Sequence, residues 1–146
     1  LSPVTVKTIN DALARLDFLS STTDYQYEKD LPQMGNIKFR YVKDGRERTV
    51  KFNWTVNPDA KILMDEYRRI SNEAVWKFEM ASARVNQPLE TPRLLDGFAN
   101  YLERNEISDP PHLIPYLRGI FTDERLPLIA RNHADRLIKQ IEKMKK

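Results

Sequence analysis

Ile37-Lys-Phe-Arg-Tyr-Val-Lys-Asp-Gly-Arg-Glu-Arg-Thr-Val-Lys-Phe-Asn-Trp54 is the most strongly patterned run of the chain. Two runs that alternate apolar with polar meet across Asp44-Gly45. Asp-Gly supplies the positive φ angles of a type I′ turn, whose twist matches that of paired strands, so the stretch predicts a β-hairpin. Centring the turn there pairs Lys43 with Arg46, Tyr41 with Arg48, Phe39 with Val50 and Ile37 with Phe52. One face then carries Ile37, Phe39, Tyr41, Val50, Phe52 and Trp54, and the other Lys38, Arg40, Val42, Glu47, Thr49, Lys51 and Asn53. A lone hairpin is marginal in water, so the apolar face must dock on helices.

The polar face is the strongest candidate site. Lys38 and Lys51 fall directly opposite each other, with Arg40 two residues along. Like charges facing across a ribbon are destabilising. A polyanion would explain them, because each neutralised phosphate releases counterions. Lys43, Arg46 and Arg48 near the turn would assist. The structural alternative is a solubilising face that discourages edge-to-edge pairing.

Outward from the hairpin the pattern is helical. Upstream, Ser2-Pro3 is a helix start, and Val6, Ile9, Leu13 and Leu16 mark one face to about Ser20. Residues 21–35 break the period and predict a loop. Downstream, Asn57-Pro58-Asp59 combines an N-cap, a first-turn proline and an acid, opening a long helix over 58–86. Leu63, Tyr67, Ile70, Ala74, Phe78, Ala81 and Val85 follow a near-heptad spacing, widened by Ile62, Trp76 and Met80, and predict its inner stripe. Thr91-Pro92 opens a third helix with Leu94, Leu95, Phe98, Tyr101 and Leu102 inward. Asp109-Pro110 opens a short fourth, and Thr122 or Asp123 caps a fifth whose inner stripe is Ile129, His133, Leu137, Ile141 and Met144. Of the aromatic residues, Tyr25 and Tyr27 in the loop are the least obviously buried, while Phe39, Tyr41, Phe52, Trp54, Trp76 and Phe78 are expected in the core.

Composition fits one domain of 146 residues, 31% charged and without cysteine, which removes disulfides and thiolate chemistry. The chain opens at Leu1 rather than Met, which points to a piece of a longer protein; no leader or membrane span is expected, and the cytoplasm is the expected location. Residues 36–54 carry six Lys/Arg against two acids and residues 125–146 seven against two, while 55–124 carry eight against twelve. Arg131, Arg136, Lys139 and Lys143, with Lys145 and Lys146, form a secondary basic patch on the last helix, where cations also complement the helix dipole. His112 and His133 are the only histidines, with no metal-ligand spacing, so no metal and no cofactor is expected. Neither a nucleophile elbow nor a phosphate-cradling glycine loop occurs, and the expectation is a non-enzyme.

The order helix, basic hairpin, long helix is loosely similar to winged DNA-binding proteins, which place two short helices immediately before the wing; here a polar loop stands there instead. The expected fold is α+β, about five helices with one hairpin near 37–54 packed on helix 58–86, in a single domain. The expected function is nucleic-acid binding through the hairpin; the alternative is a protein-interaction subunit that uses an exposed apolar strip of the long helix or the acidic middle of the chain.

Overall fold

A computed structural model describes residues 1–144. Their order is α1 (Pro3–Leu16), β1 (Ile37–Lys43), β2 (Arg46–Phe52), α2 (Pro58–Asn86), α3 (Thr91–Glu103), α4 (Ile114–Phe121) and α5 (Leu128–Met144), with three short 3₁₀ turns between them. The fold is α+β and mostly helical, with one two-stranded antiparallel sheet. Its contacts gather into two compact units, residues 3–67 and residues 68–144, with α2 contributing to both.

In the first unit the hairpin register is the one the alternation predicts, including Lys38 opposite Lys51. Asp44 (φ 53°) and Gly45 (φ 76°) supply the two positive φ angles of the turn. The apolar face feeds a chain of rings: Phe18–Tyr25 at 6.2 Å, Tyr25–Phe52 at 6.4 Å, Phe39–Phe52 at 5.6 Å, and Phe39–Tyr67 on the first part of α2 at 4.9 Å. Tyr25 is therefore core, contrary to its expected place in an open loop; the residues after α1 wrap back over the hairpin. Helix α1 stops at Leu16 rather than near Ser20 because Asp17 takes the left-handed conformation. Asp17 N–H donates to the Ala14 carbonyl (3.1 Å) and Phe18 N–H to that of Leu13 (3.2 Å), a Schellman closure with Asp in the usual glycine position. α1 buries Thr5, Ile9 and Ala12 and leaves Val6 exposed, so its inner face is turned from the expected one.

Asn57 caps α2 as expected, its Oδ1 accepting from Asp59 N–H (3.0 Å) and Ala60 N–H (3.1 Å). In the second unit the helix buries Glu73, Trp76, Met80 and Ala83, a three-and-four spacing. The Trp76 indole N–H donates to the Leu94 carbonyl at 2.7 Å, and its ring lies 4.8 Å from Phe98 and 5.6 Å from Tyr116. Around them Leu95, Phe98, Leu117, Leu137 and Ile141 complete one core. Asn105, left-handed at φ 57°, closes α3 as Asp17 closes α1, with Glu106 N–H on the Tyr101 carbonyl (2.8 Å).

Two helix starts differ from the sequence reading. Thr91 does not cap α3 with its hydroxyl, which donates to Pro88 O (2.7 Å) in the 3₁₀ turn before it. Helix α5 begins at Leu128, after Pro127, whose carbonyl accepts from Ala130 N–H (3.0 Å); Asp123 instead folds the connecting turn. That helix buries Leu137 and Ile141 as expected, but Ala130, Ala134 and Ile138 complete its inner face, and Ile129 and Met144 are exposed.

Candidate binding surfaces

Six cations near the hairpin were the sequence candidates, and the structure separates them. Arg48 shares the inner face with Tyr41, and its guanidinium lies 5.0 Å from the centres of both the Phe18 and Tyr25 rings. It donates to the Phe18 carbonyl (2.9 Å), the Tyr25 hydroxyl oxygen (2.9 Å) and the Thr23 carbonyl. Three of its five N–H donors are committed to the fold. Arg40 Nε donates to Glu47 at 2.6 Å on the outer face, and this pair holds the Glu47 carboxyl below its ordinary range. Lys43 and Arg46 are paired with each other in the register and line a groove on the inner side with Asp17 and Tyr41.

Lys38 and Lys51 are left. They are exposed and directly opposed, and neither has an acid within ion-pair distance among the described residues. Asn53, expected on this solvent face, is buried because the preceding loop closes over it: its Oδ1 accepts from Gln26 Nε2 (2.8 Å) and Leu31 N–H (3.2 Å), and its Nδ2 donates to Asp30. The outward basic strip is thus shorter than the sequence implies. It consists of two free lysines and one neutralised arginine.

The secondary patch is partly committed too. Arg131 Nε donates to the Phe121 carbonyl (3.1 Å) and Lys139 pairs with Asp135 at 2.9 Å, while Arg136 and Lys143 are exposed. Lys145 and Lys146 lie outside the described residues.

Both histidines are built into the second unit. His112 is bound through Nε2 to the buried Glu73 carboxylate (2.6 Å) and through Nδ1 to the Asp109 main-chain carbonyl. His133 faces Asp96 at 3.4 Å; burial, then the nearby positive Arg136, lowers its pKa against the opposing pull of Asp96. No group of three metal-ligating side chains occurs among the described residues.

The surface that the sequence placed on the wrong side is on α2. Ala74, Phe78, Ala81 and Val85, expected in the core, are exposed, with Phe78 at 78% and Val85 at 68%. Val75 (53%) is exposed on the same helix, and Leu89 (85%) in the 3₁₀ turn that follows it. The reason is geometric: residues 76, 80 and 83 occupy the core side, and positions 74, 78, 81 and 85 fall on the opposite side of a helix with 3.6 residues per turn. The second unit therefore carries a helix apolar on two faces, one of them uncovered.

The arrangement defines an α+β chain with two distinct outward surfaces, one basic and one apolar. No family model matches it, and neither a curated protein nor a solved structure does.

Proposed function

We propose that this chain is a non-catalytic protein-interaction module that docks a partner helix on the outer face of α2. The observation that carries the reading is Phe78, 78% exposed between Ala74 and Ala81 on a helix that already satisfies its core with Trp76 and Met80. A solvated phenylalanine in this position does little for the isolated fold, whereas an aromatic at the centre of an apolar strip is a typical interface anchor. Phe78→Asp is therefore expected to change the unfolding free energy by no more than about 0.5 kcal/mol, as for ordinary surface substitutions. Urea denaturation checks this. A loss above about 2 kcal/mol, of the size seen when a packed side chain is removed, would assign Phe78 to the core and end the reading.

A second reading, nucleic-acid binding, is favoured by the unneutralised Lys38–Lys51 pair. Titration of labelled duplex DNA and RNA at two salt concentrations tests it: binding through this pair gives a salt slope that falls by about 2 in the Lys38→Glu/Lys51→Glu protein. Binding unchanged by the double reversal excludes the hairpin as the contact. Among the described residues no helix is long and apolar enough to cross a membrane.

A further inference from the structure

We propose that the outer face of the hairpin, at the end away from its turn, binds a phosphate monoester. That group terminates a phosphorylated nucleic-acid strand and is also carried by small phosphorylated metabolites. The site rests on the unneutralised Lys38–Lys51 pair and is independent of the α2 face. A cavity of about 470 Å³ opens there, within the size range of small-ligand sites. Lys38 and Lys51 line it from the two strands. Asn36 and Asn53, each one residue beyond a strand end, continue the same alternation and line it too, with Gln26 from the preceding loop as a further wall.

The uncommitted groups of the cavity are hydrogen-bond donors. Directly opposed residues on one face of a ribbon start about 5 Å apart at Cβ, so both ammonium groups can reach one ligand. A buried amide sets this end of the ribbon apart from an ordinary lysine face. Asn53 is only 6% exposed, and its nitrogen carries two hydrogens, of which one goes to Asp30. The other has no partner among the described residues. The rest of that amide is fixed: Oδ1 accepts from Gln26 Nε2 (2.8 Å) and Leu31 N–H (3.2 Å), while Gln26 Oε1 accepts from Asn53 N–H (2.9 Å). No carboxylate lines the cavity among the described residues; Glu47 on the same face is held by Arg40, and Asp30 by the Asn53 amide. A phosphate monoester fits such a set. It presents three acceptor oxygens and a charge of about −1.5 to −2 at neutral pH, where an internal phosphodiester carries one. Placed between the two lysines, it also removes the repulsion that opposed like charges impose on the strands.

Titration of adenosine 5′-monophosphate into the isotope-labelled whole chain, followed by NMR, tests the site, with adenosine as the uncharged control. The nucleotide is expected to shift the Asn53 side-chain amide and the Lys38 and Lys51 main-chain signals, and adenosine to leave them in place. Lys38→Gln and Lys51→Gln should each weaken binding roughly tenfold, the effect of losing one charge-assisted contact. Lys43→Gln/Arg46→Gln removes two cations at the turn, about 16 Å along the strands and beyond the screening length at physiological salt, and should leave the affinity unchanged. Oligonucleotides with a 5′-phosphate or a 5′-hydroxyl separate the two sources. A phosphorylated strand bound more tightly than the mononucleotide assigns the site to strand ends, and one bound no more tightly assigns it to a free metabolite. Equal affinity for the two kinds of strand end, lost in Lys38→Gln/Lys51→Gln, overturns the monoester site and leaves the hairpin as a general polyanion contact. No shift with either phosphorylated probe at millimolar concentration, or a loss as large in the turn variant, also overturns it.

Discussion

Trp76→Ala is expected to lower the stability of the unit that begins at Arg68 by about 3–5 kcal/mol, the range for removing a large aromatic from a close-packed core. Two costs combine. The indole fills the space between Phe98 and Tyr116, and its loss leaves a cavity beside rings that are held by surrounding helices. Its N–H also holds the Leu94 carbonyl at 2.7 Å, and leaving that buried acceptor without its donor costs about a further 1 kcal/mol or more. Trp76→Phe separates the two, since it retains most of the packing and none of the hydrogen bond. Equilibrium unfolding in urea should therefore rank wild type above Trp76→Phe and that above Trp76→Ala. A cost for Trp76→Ala below about 1 kcal/mol, typical of a surface position, would show that α2 does not face the core as described.

Arg48→Met is expected to cost the first unit about 3 kcal/mol. A half-buried guanidinium over aromatic faces contributes about 1 kcal/mol, and hydrogen bonds to a charged donor about 1.5–3 kcal/mol each, partly recovered as methionine fills the slot and water reaches the freed carbonyls. Arg48→Lys should recover only part of the loss, because an ammonium lacks the planar fork that reaches the Phe18 and Thr23 carbonyls together while contacting both rings. The measurement is the urea midpoint with tyrosine fluorescence as probe. Equal stability of wild type and Arg48→Lys would mean that the planar fork is not what organises the loop. The prediction also bears on nucleic acid: a binding defect in an Arg48 variant would report unfolding of the loop rather than a lost phosphate contact.

What could be read from the sequence, and what could not, follows from the range of the forces involved. The hairpin register was legible because alternation and an Asp-Gly turn are local signals, and Asn57-Pro58-Asp59 fixed the start of α2 for the same reason. The Schellman closures at Asp17 and Asn105 were missed because glycine, the common residue there, is absent. Arg48 lay on the inner face by parity alone, yet its length and charge suggested solvent; only the return of Phe18 and Tyr25 over the hairpin gives it partners. On α2 the heptad of Ala74, Phe78, Ala81 and Val85 was read correctly as a pattern and assigned to the wrong side. A helix with two apolar stripes does not encode which one its own chain covers. Here Trp76, with a polar handle and the greater volume, took the core, and the narrower stripe of small residues around Phe78 was left exposed.

The Phe78 side of α2 is open and the Met80 side closed. Maleimide labelling of single-cysteine proteins in dilute solution measures this directly, since no native thiol competes. Phe78→Cys and Ala81→Cys are predicted to react as free thiols do, while Met80→Cys and Ala83→Cys stay protected until the unit unfolds. Protection at 78 and 81 in dilute protein, or rapid labelling at 80 and 83, would mean that α2 presents the other face to solvent.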